Sequence, residues 1–107
     1  MKNFTTFIKE NWKDEANELK LYIENDANLY KQRLIPIVKN IQRKMKSGKY
    51  DHSKAPKLWM YLVDDGAKKY SKEFPGVKFD KKIRQYVAQE FADEYKDEIE
   101  AQGGSMF

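Results

Sequence analysis

The chain has 107 residues, a net charge of +4, and 40% hydrophobic, 36% charged and 14% aromatic side chains, with no cysteine. This length suits one domain, the aromatic content argues against disorder, and the lack of cysteine excludes disulfides and thiolate metal sites. The acidic N-terminal segment and the lack of an apolar run of about 20 residues exclude a standard signal peptide and a membrane span. We therefore expect a cytoplasmic protein.

Residues 3–24 predict the first helix, because apolar side chains recur at steps of three or four residues from Phe4 to Ile23. Asn11 or Asp14 could cap a second piece, so one helix or two fit the pattern. The predicted apolar face consists of Phe4, Phe7, Ile8, Trp12, Ala16, Leu19 and Ile23.

The second helix has the clearest pattern and is predicted to begin after Asp26 as N-cap. Pro36 lies inside it. Because proline lacks an N–H and clashes with the preceding turn, we predict a kink there or a break near Ile35. Ser47 and Gly48 predict its end. Its predicted apolar face consists of Ala27, Tyr30, Leu34, Ile37, Val38, Ile41 and Met45.

The third helix is predicted to begin with Ser53 as N-cap and Pro56 in the first turn, and to end at the segment 74–76. Gly66 and Ala67 predict a close helix crossing, because small residues let two backbones approach. The predicted apolar face consists of Leu58, Trp59, Leu62, Val63, Gly66, Ala67, Tyr70 and Phe74.

The last helix is predicted to follow Asp80 as N-cap and to bury Ile83, Val87, Phe91, Tyr95 and Ile99. Residues 1–102 then form a single helical domain, and residues 103–107 form a flexible tail. The predicted fold class is all-α, a compact bundle of four to five helices.

The run Asp51-His52-Ser53 contains the residue types of a catalytic triad. A working triad needs side chains that converge from separate segments, so we interpret this run as a polar loop with a helix cap. No phosphate loop, zinc spacing or nucleophile motif is present. We predict that the protein is not an enzyme and uses no cofactor.

Two acidic groups could be mistaken for metal sites. Asp64 and Asp65 point about 100° apart on a helix, and each precedes a lysine by four residues, so we predict surface ion pairs with Lys68 and Lys69. The like-charge pairs Glu90/Glu94 and Asp93/Asp97 could offer oxygens to Mg²⁺ or Ca²⁺, but no loop or histidine supports a site. We predict no metal.

Charge is segregated along the chain. Residues 31–84 hold sixteen basic and five acidic side chains, whereas residues 85–107 hold one basic and six acidic. The cations near the end of the second helix are explained by its dipole alone. They could also bind a nucleic-acid backbone, with Tyr50 or Tyr61 stacking on bases and Lys69, Lys78, Lys81 and Lys82 joining. The candidate residues are Lys39, Arg43, Lys44, Lys46, Lys49, Lys54, Lys57, Tyr61, Lys68 and Lys72.

The last helix opposes its own dipole, with Lys81, Lys82 and Arg84 at its start and acidic residues at its end. Two explanations stay open: pairing with other helices, or binding of an external partner. For a protein partner, the acidic candidates are Glu94, Asp97 and Glu98.

Two stretches carry a resemblance: NLYKQRLIPIVKNIQRKMKSGKYD at 28–51 and KLWMYLVDDGAKKY at 57–70. They resemble short, uncharacterised proteins of tailed phages and other mobile elements, over about residues 28–98. The resemblance implies a small accessory protein in the cytoplasm of a bacterial host cell. We expect it to bind nucleic acid through the basic middle region. The alternative is an anti-defence inhibitor, of anti-CRISPR or anti-restriction type, that blocks the nucleic-acid site of a host nuclease complex.

Overall fold

A computed structural model describes the backbone of residues 4–101 and the side chains of residues 12–101. This part of the chain contains no strand, so the prediction of an all-α bundle is confirmed. The tail at 103–107 and the N-terminal part of the first apolar face lie outside the described residues. The four helices are α1 (Phe4–Glu24), α2 (residues 27–46), α3 (Ala55–Glu73) and α4 (Lys81–Ala101).

Helices α3 and α4 form an antiparallel pair at the centre of the core. The rings of Trp59 and Phe91 stack with centroids 5.6 Å apart, and both side chains are fully buried. An ion pair between Asp64 and Arg84 joins the same two helices further along α3. Helix α1 runs parallel to α4 and contacts both. Burying a large apolar side chain contributes roughly 1.5–3 kcal/mol, so this central pair is a main source of stability.

The first connection confirms one predicted cap. Helix α1 is a single helix rather than two pieces and ends at Glu24. Asp26 then adopts an extended conformation, and its Oδ1 accepts a hydrogen bond of 2.9 Å from the Leu29 N–H. This bond satisfies one of the unpaired N–H groups of the first turn of α2, as an N-cap does.

One of the two expectations for α2 was a break near Ile35, and this expectation is wrong because the helix continues. It consists of an α-helical turn (Ala27–Leu29), a π-helical turn (Tyr30–Leu34) and a regular α-helix (Ile35–Lys46). In the π turn, the Ile35 N–H donates to the carbonyl of Tyr30, five residues back. The π turn therefore lies directly before Pro36, in the turn that the proline ring would clash with in a regular helix. The chain then continues as an α-helix.

The π turn also corrects the predicted face of α2. It inserts one residue into the helical repeat, so Leu29 and Leu34, five residues apart, are both buried. Tyr30, which regular spacing assigned to the core, is 37% exposed, and Ala27 is exposed.

The connection from α2 to α3 contains the one wrong cap. Gly48 has a φ of +73°, and the next two N–H groups, of Lys49 and Tyr50, both donate to the carbonyl of Lys44. Ser53 is not the N-cap of α3. Its N–H and hydroxyl both donate to Asp51 Oδ1, at 3.0 and 2.6 Å, and a short 3₁₀ helix (His52–Lys54) precedes α3. The polar cap therefore stabilises the 3₁₀ turn instead of the helix itself.

Gly66 forms the predicted close crossing. It is buried, and a Cβ placed on it would overlap Ile23 Cγ1 and lie 2.8 Å from Ile23 Cδ1. Only a residue without a side chain lets α1 approach α3 this closely.

The end of α3 differs from the prediction at Phe74. This residue is 49% exposed, because α3 ends at Glu73 and helical spacing no longer fixes the direction of the side chain. The chain then turns through Gly76, which has a φ of +96°. Asp80 caps α4 as predicted, accepting a 2.9 Å hydrogen bond from the Ile83 N–H.

Candidate nucleic-acid interface

The two adjacent aspartates of α3 contact two different helices. Asp64 Oδ1 lies 2.7 Å from Arg84 Nη1 of α4, and Asp65 Oδ2 lies 2.5 Å from Arg33 Nε of α2. The predicted pairing with the lysines four residues later is therefore wrong. Adjacent helix positions diverge by about 100°, which directs one carboxylate to each neighbouring helix.

Three residues that the sequence offered to a nucleic acid have contacts inside the fold. Lys69 Nζ lies 2.5 Å from Asp26 Oδ2, and Lys82 Nζ lies 5.6 Å from the centre of the Trp12 ring. Tyr50 packs against the core and its hydroxyl contacts His52. Lys69, Lys82 and Tyr50 therefore do not belong to the candidate surface.

The outward side of α3, together with the last residue of the 3₁₀ turn before it, presents a row of exposed side chains, which we call the basic face of α3. The row extends over about 27 Å at a rise of about 1.5 Å per residue. Tyr61, near its middle, is 63% exposed. None of its lysines has an ion-pair partner within the described residues. The basic face of α3 consists of Lys54, Lys57, Tyr61, Lys68 and Lys72.

The cations of α2 fall into two groups. Lys39, Arg43 and Lys46 are exposed on the side of α2 opposite its buried residues. Lys44 instead lies at the corner between α2 and α3, where it lines a cavity of about 150 Å³ with Lys49 and Lys54. This corner brings Lys44 close to Lys54, and the carboxylate of Asp51 lies in the same wall.

A second basic concavity lies at the other end of α3, and we call it the basic groove. Its volume is about 630 Å³, and its polar part holds four cations and one carboxylate, that of Asp64. The apolar side chains of Ala67 and Phe79 contribute to its wall. The four cations are Lys68, Lys72, Lys78 and Arg84.

The acidic residues at the end of α4 also fall into a paired and an unpaired group. Glu94 forms an ion pair of 2.7 Å with Lys20 of α1, and Glu90 lies 3.5 Å from the same ammonium. Asp97 and Glu98 are exposed and have no ion-pair partner among residues 12–101. Interhelix contacts thus account for Arg84, Lys82 and Glu94 on the helix that opposes its dipole, and leave Asp97 and Glu98 for another explanation.

His52 belongs to a hydrogen-bond chain that the sequence did not reveal. Its Nδ1 lies 2.6 Å from the Tyr50 hydroxyl, and its Nε2 lies 2.8 Å from Asp93 Oδ1 on α4. Asp51 and Ser53 bond to each other instead, so the three adjacent residues do not form a triad.

The chain of hydrogen bonds does not provide an activated nucleophile. Burial, together with the carboxylates of Glu100, Asp93 and Asp51, raises the pKa of Tyr50 to about 12, so its phenol stays protonated near neutrality. The hydrogen bond from His52 lowers the pKa of Asp93. The arrangement ties the 3₁₀ turn to α4.

The described residues contain no group of three or more histidine or carboxylate side chains that could hold a metal ion. None of the described helices is long and apolar enough to cross a membrane.

The sequence identified the charged residues but not the partners with which they form ion pairs. Arg33 and Arg84 could not be separated from the free cations, because the partner of each lies more than nineteen positions away and only the tertiary fold brings it close. Asn40, whose Oδ1 is buried without a hydrogen-bond partner, gave no signal in the sequence.

Comparison of the chain with models of protein families, with curated proteins and with solved structures gave no match.

Proposed function

We propose that this protein binds nucleic acid through the outward sides of α2 and α3 and carries out no chemistry itself. The observation that supports this most directly is the division of its basic residues into two sets. One set stabilises the fold through ion pairs between helices, and the other projects from α2 and α3 without carboxylate partners.

The paired set neutralises the acids beside the interface. Asp64 and Asp65 are the two carboxylates of α3 that lie next to the basic face of α3, and each is opposed by an arginine at 2.7 or 2.5 Å. A phosphate approaching this face therefore meets lysines, while the nearby negative charge is already compensated. Carboxylates that are paired in this way repel a phosphate less than unpaired ones would.

The composition of the face favours weak sequence preference. Its cations are lysines, which contact phosphates as point charges, whereas specific reading of base edges relies mainly on arginine, asparagine and glutamine. We expect the affinity to fall steeply with salt, because binding would release counterions from the nucleic acid.

The test is fluorescence anisotropy with labelled single-stranded and duplex DNA over a series of salt concentrations. The double variant Lys57→Glu, Lys68→Glu should bind at least about tenfold more weakly at low salt. The negative slope of log affinity against log salt should become shallower by about 2. The matched control is Lys13→Glu, an exposed lysine on α1 outside the basic face of α3.

Both variants must first give the circular dichroism and thermal midpoint of the parent protein. Unchanged affinity and salt slope in a folded double variant would contradict the proposal, as would an equal effect of the α1 control.

A second candidate is an inhibitor that binds a nucleic-acid-binding protein complex of a bacterial host. Asp97 and Glu98 favour it, because they are exposed and unpaired near the C-terminal end of α4, where the helix dipole disfavours acids. A complex recovered from nuclease-treated lysate should be lost with Asp97→Lys, Glu98→Lys and kept with the α1 control. If the parent protein recovers a complex from untreated lysate but not from nuclease-treated lysate, nucleic acid is the favoured partner.

A further inference from the structure

A small cavity lies between α2 and α3, directly beside the exposed ring of Tyr61. Its volume is about 170 Å³, and it is open to solvent on one side. Pro36, Ile37 and Leu58 give it an apolar part, and Gln32 and Asn40 add polar groups. A cavity of about 150 Å³ in another protein takes up benzene. This one therefore has room for a planar ring, while the open side leaves space for atoms attached to that ring.

Tyr61 differs from most of the aromatic residues that the structure describes. Tyr22, Tyr70, Phe79, Tyr86 and Phe91 each contact another aromatic ring. The ring of Tyr61 has no aromatic or hydrogen-bonding partner among residues 12–101, and 63% of the residue is exposed. An exposed, unpaired ring next to an apolar cavity is suited to stack on another flat ring.

The wall of the cavity also contains two side-chain amides, those of Gln32 and Asn40. A side-chain amide both donates and accepts hydrogen bonds, so this wall suits a ligand with donors and acceptors on its edge. Nucleobases are planar and carry such groups on their edges.

Charge around the cavity fits a phosphate backbone. Lys57 and Lys68 lie one and two turns from Tyr61 on the same side of α3, and neither has an ion-pair partner in the described part of the chain. Arg33, at the rim, keeps its charge balanced by Asp65. A ring placed at Tyr61 would therefore have cations on both sides along the helix.

We propose that the cavity between α2 and α3 receives one unpaired base of a single-stranded nucleic acid, stacked on Tyr61, while Lys57 and Lys68 contact the flanking phosphates. This inference rests on the proposed function and adds the class of ligand. A base in an intact duplex is stacked between its neighbours and cannot enter the cavity, so the protein selects single strands.

The test compares three labelled probes of equal length by anisotropy: a single-stranded oligonucleotide, the same strand with abasic residues, and a duplex. The chain of 107 residues should bind the base-bearing strand about tenfold more tightly than the abasic strand, because stacking on a protein ring is lost without a base. The duplex should bind no more tightly than the abasic strand.

Variants assign the effect to Tyr61. Tyr61→Ala should bind the base-bearing strand about as weakly as the abasic strand, with unchanged abasic affinity, and Tyr61→Phe should retain the parent preference because it keeps the ring. Asn40→Leu should reduce the preference without altering the salt slope. Circular dichroism checks that each variant is folded.

The outcomes separate this inference from the proposed function. Equal binding of abasic and base-bearing strands, or tighter binding of the duplex, overturns the base site and leaves phosphate binding intact. Failure of all three probes to bind overturns both.

Discussion

The guanidinium of Arg84 connects three parts of the fold at the edge of the basic groove. Its Nη1 lies 2.7 Å from Oδ1 of Asp64 on α3, and its Nε donates a 3.1 Å hydrogen bond to the carbonyl of Phe79 before α4. Arg84 therefore helps to hold the start of α4 in place, and Asp64 cancels one of the positive charges of the groove.

Asp64→Asn should have opposite effects on stability and on nucleic-acid affinity. The two side chains are 29% and 38% exposed, so the loss of unfolding free energy should not exceed about 1 kcal/mol. Affinity for single-stranded DNA should rise about fivefold at low salt, because removing one negative charge near a phosphate changes the interaction by about 1 kcal/mol.

The control for this prediction is Asp14→Asn, which removes an exposed carboxylate from α1. Urea denaturation and anisotropy at two salt concentrations measure both quantities. An unchanged affinity in the folded Asp64→Asn protein would indicate that the groove is not part of the interface.

Gly66→Ala should destabilise the protein although alanine is the better helix former. The added Cβ would lie 2.8 Å from Ile23 Cδ1 in a fully packed crossing. Overpacking of this kind costs about 1–3 kcal/mol, which exceeds the gain of about 1 kcal/mol in helix propensity.

The sign of this effect should reverse in an Ile23→Ala background. There the clashing atoms are absent, so Gly66→Ala should stabilise the already weakened protein by up to about 1 kcal/mol. Urea denaturation of the four proteins gives the coupling. A destabilisation that persists in the Ile23→Ala background would show that the crossing does not depend on this contact.

What could be predicted from the sequence was local. The caps at Asp26 and Asp80 followed from a short polar residue before a helical pattern, because a cap and its N–H donor lie three residues apart. The small residue at Gly66 likewise indicated a close crossing before its partner was known. The predicted cap at Ser53 failed because its hydroxyl donates to Asp51 Oδ1, and the residue three positions later is Pro56, which has no N–H to donate.

What could not be predicted depends on tertiary neighbours. Helical spacing assigned Tyr30 to the core, but the π turn shifts the phase of α2 and exposes it. The i,i+4 rule paired Asp65 with Lys69, whereas the fold brings Arg33 and Asp26 within reach of these two side chains. An ion pair between residues four positions apart in one helix contributes only about 0.2–0.5 kcal/mol. Packing between helices therefore decides which charged side chains meet.

Asp26 should make the stability of the protein depend on pH in the acidic range. The hydrogen bond and charge of Lys69, together with the Leu29 N–H, lower the pKa of this carboxyl. A lowered pKa in the folded state means that the stabilisation is present above the ordinary value of about 4 and is lost as the pH falls through the folded pKa.

Two substitutions separate the cap of α2 from the charge. Asp26→Asn keeps an acceptor for the cap and removes the charge. As the pH is lowered below about 4, its free energy of unfolding should therefore fall less than that of the parent. Asp26→Ala should lose about 1 kcal/mol more, because the cap is also lost. Urea denaturation at a series of pH values measures both effects. Equal slopes of unfolding free energy against pH for Asp26→Asn and the parent would show that Asp26 does not cause the pH dependence.

Tyr95 should limit stability at the alkaline end. Burial, with the nearby carboxylates of Glu98 and Glu24, raises the pKa of this phenol to about 12, and its ring packs 5.0 Å from the centre of Trp59. A raised pKa in the folded state means that the stabilisation is fully present below the ordinary value of about 10 and is lost as the pH rises through 12. Phenolate absorbance should therefore increase together with the loss of helical circular dichroism. Tyr95→Phe keeps the ring, so its alkaline unfolding midpoint should move to higher pH, whereas an unchanged midpoint would mean that Tyr95 titrates without unfolding the core.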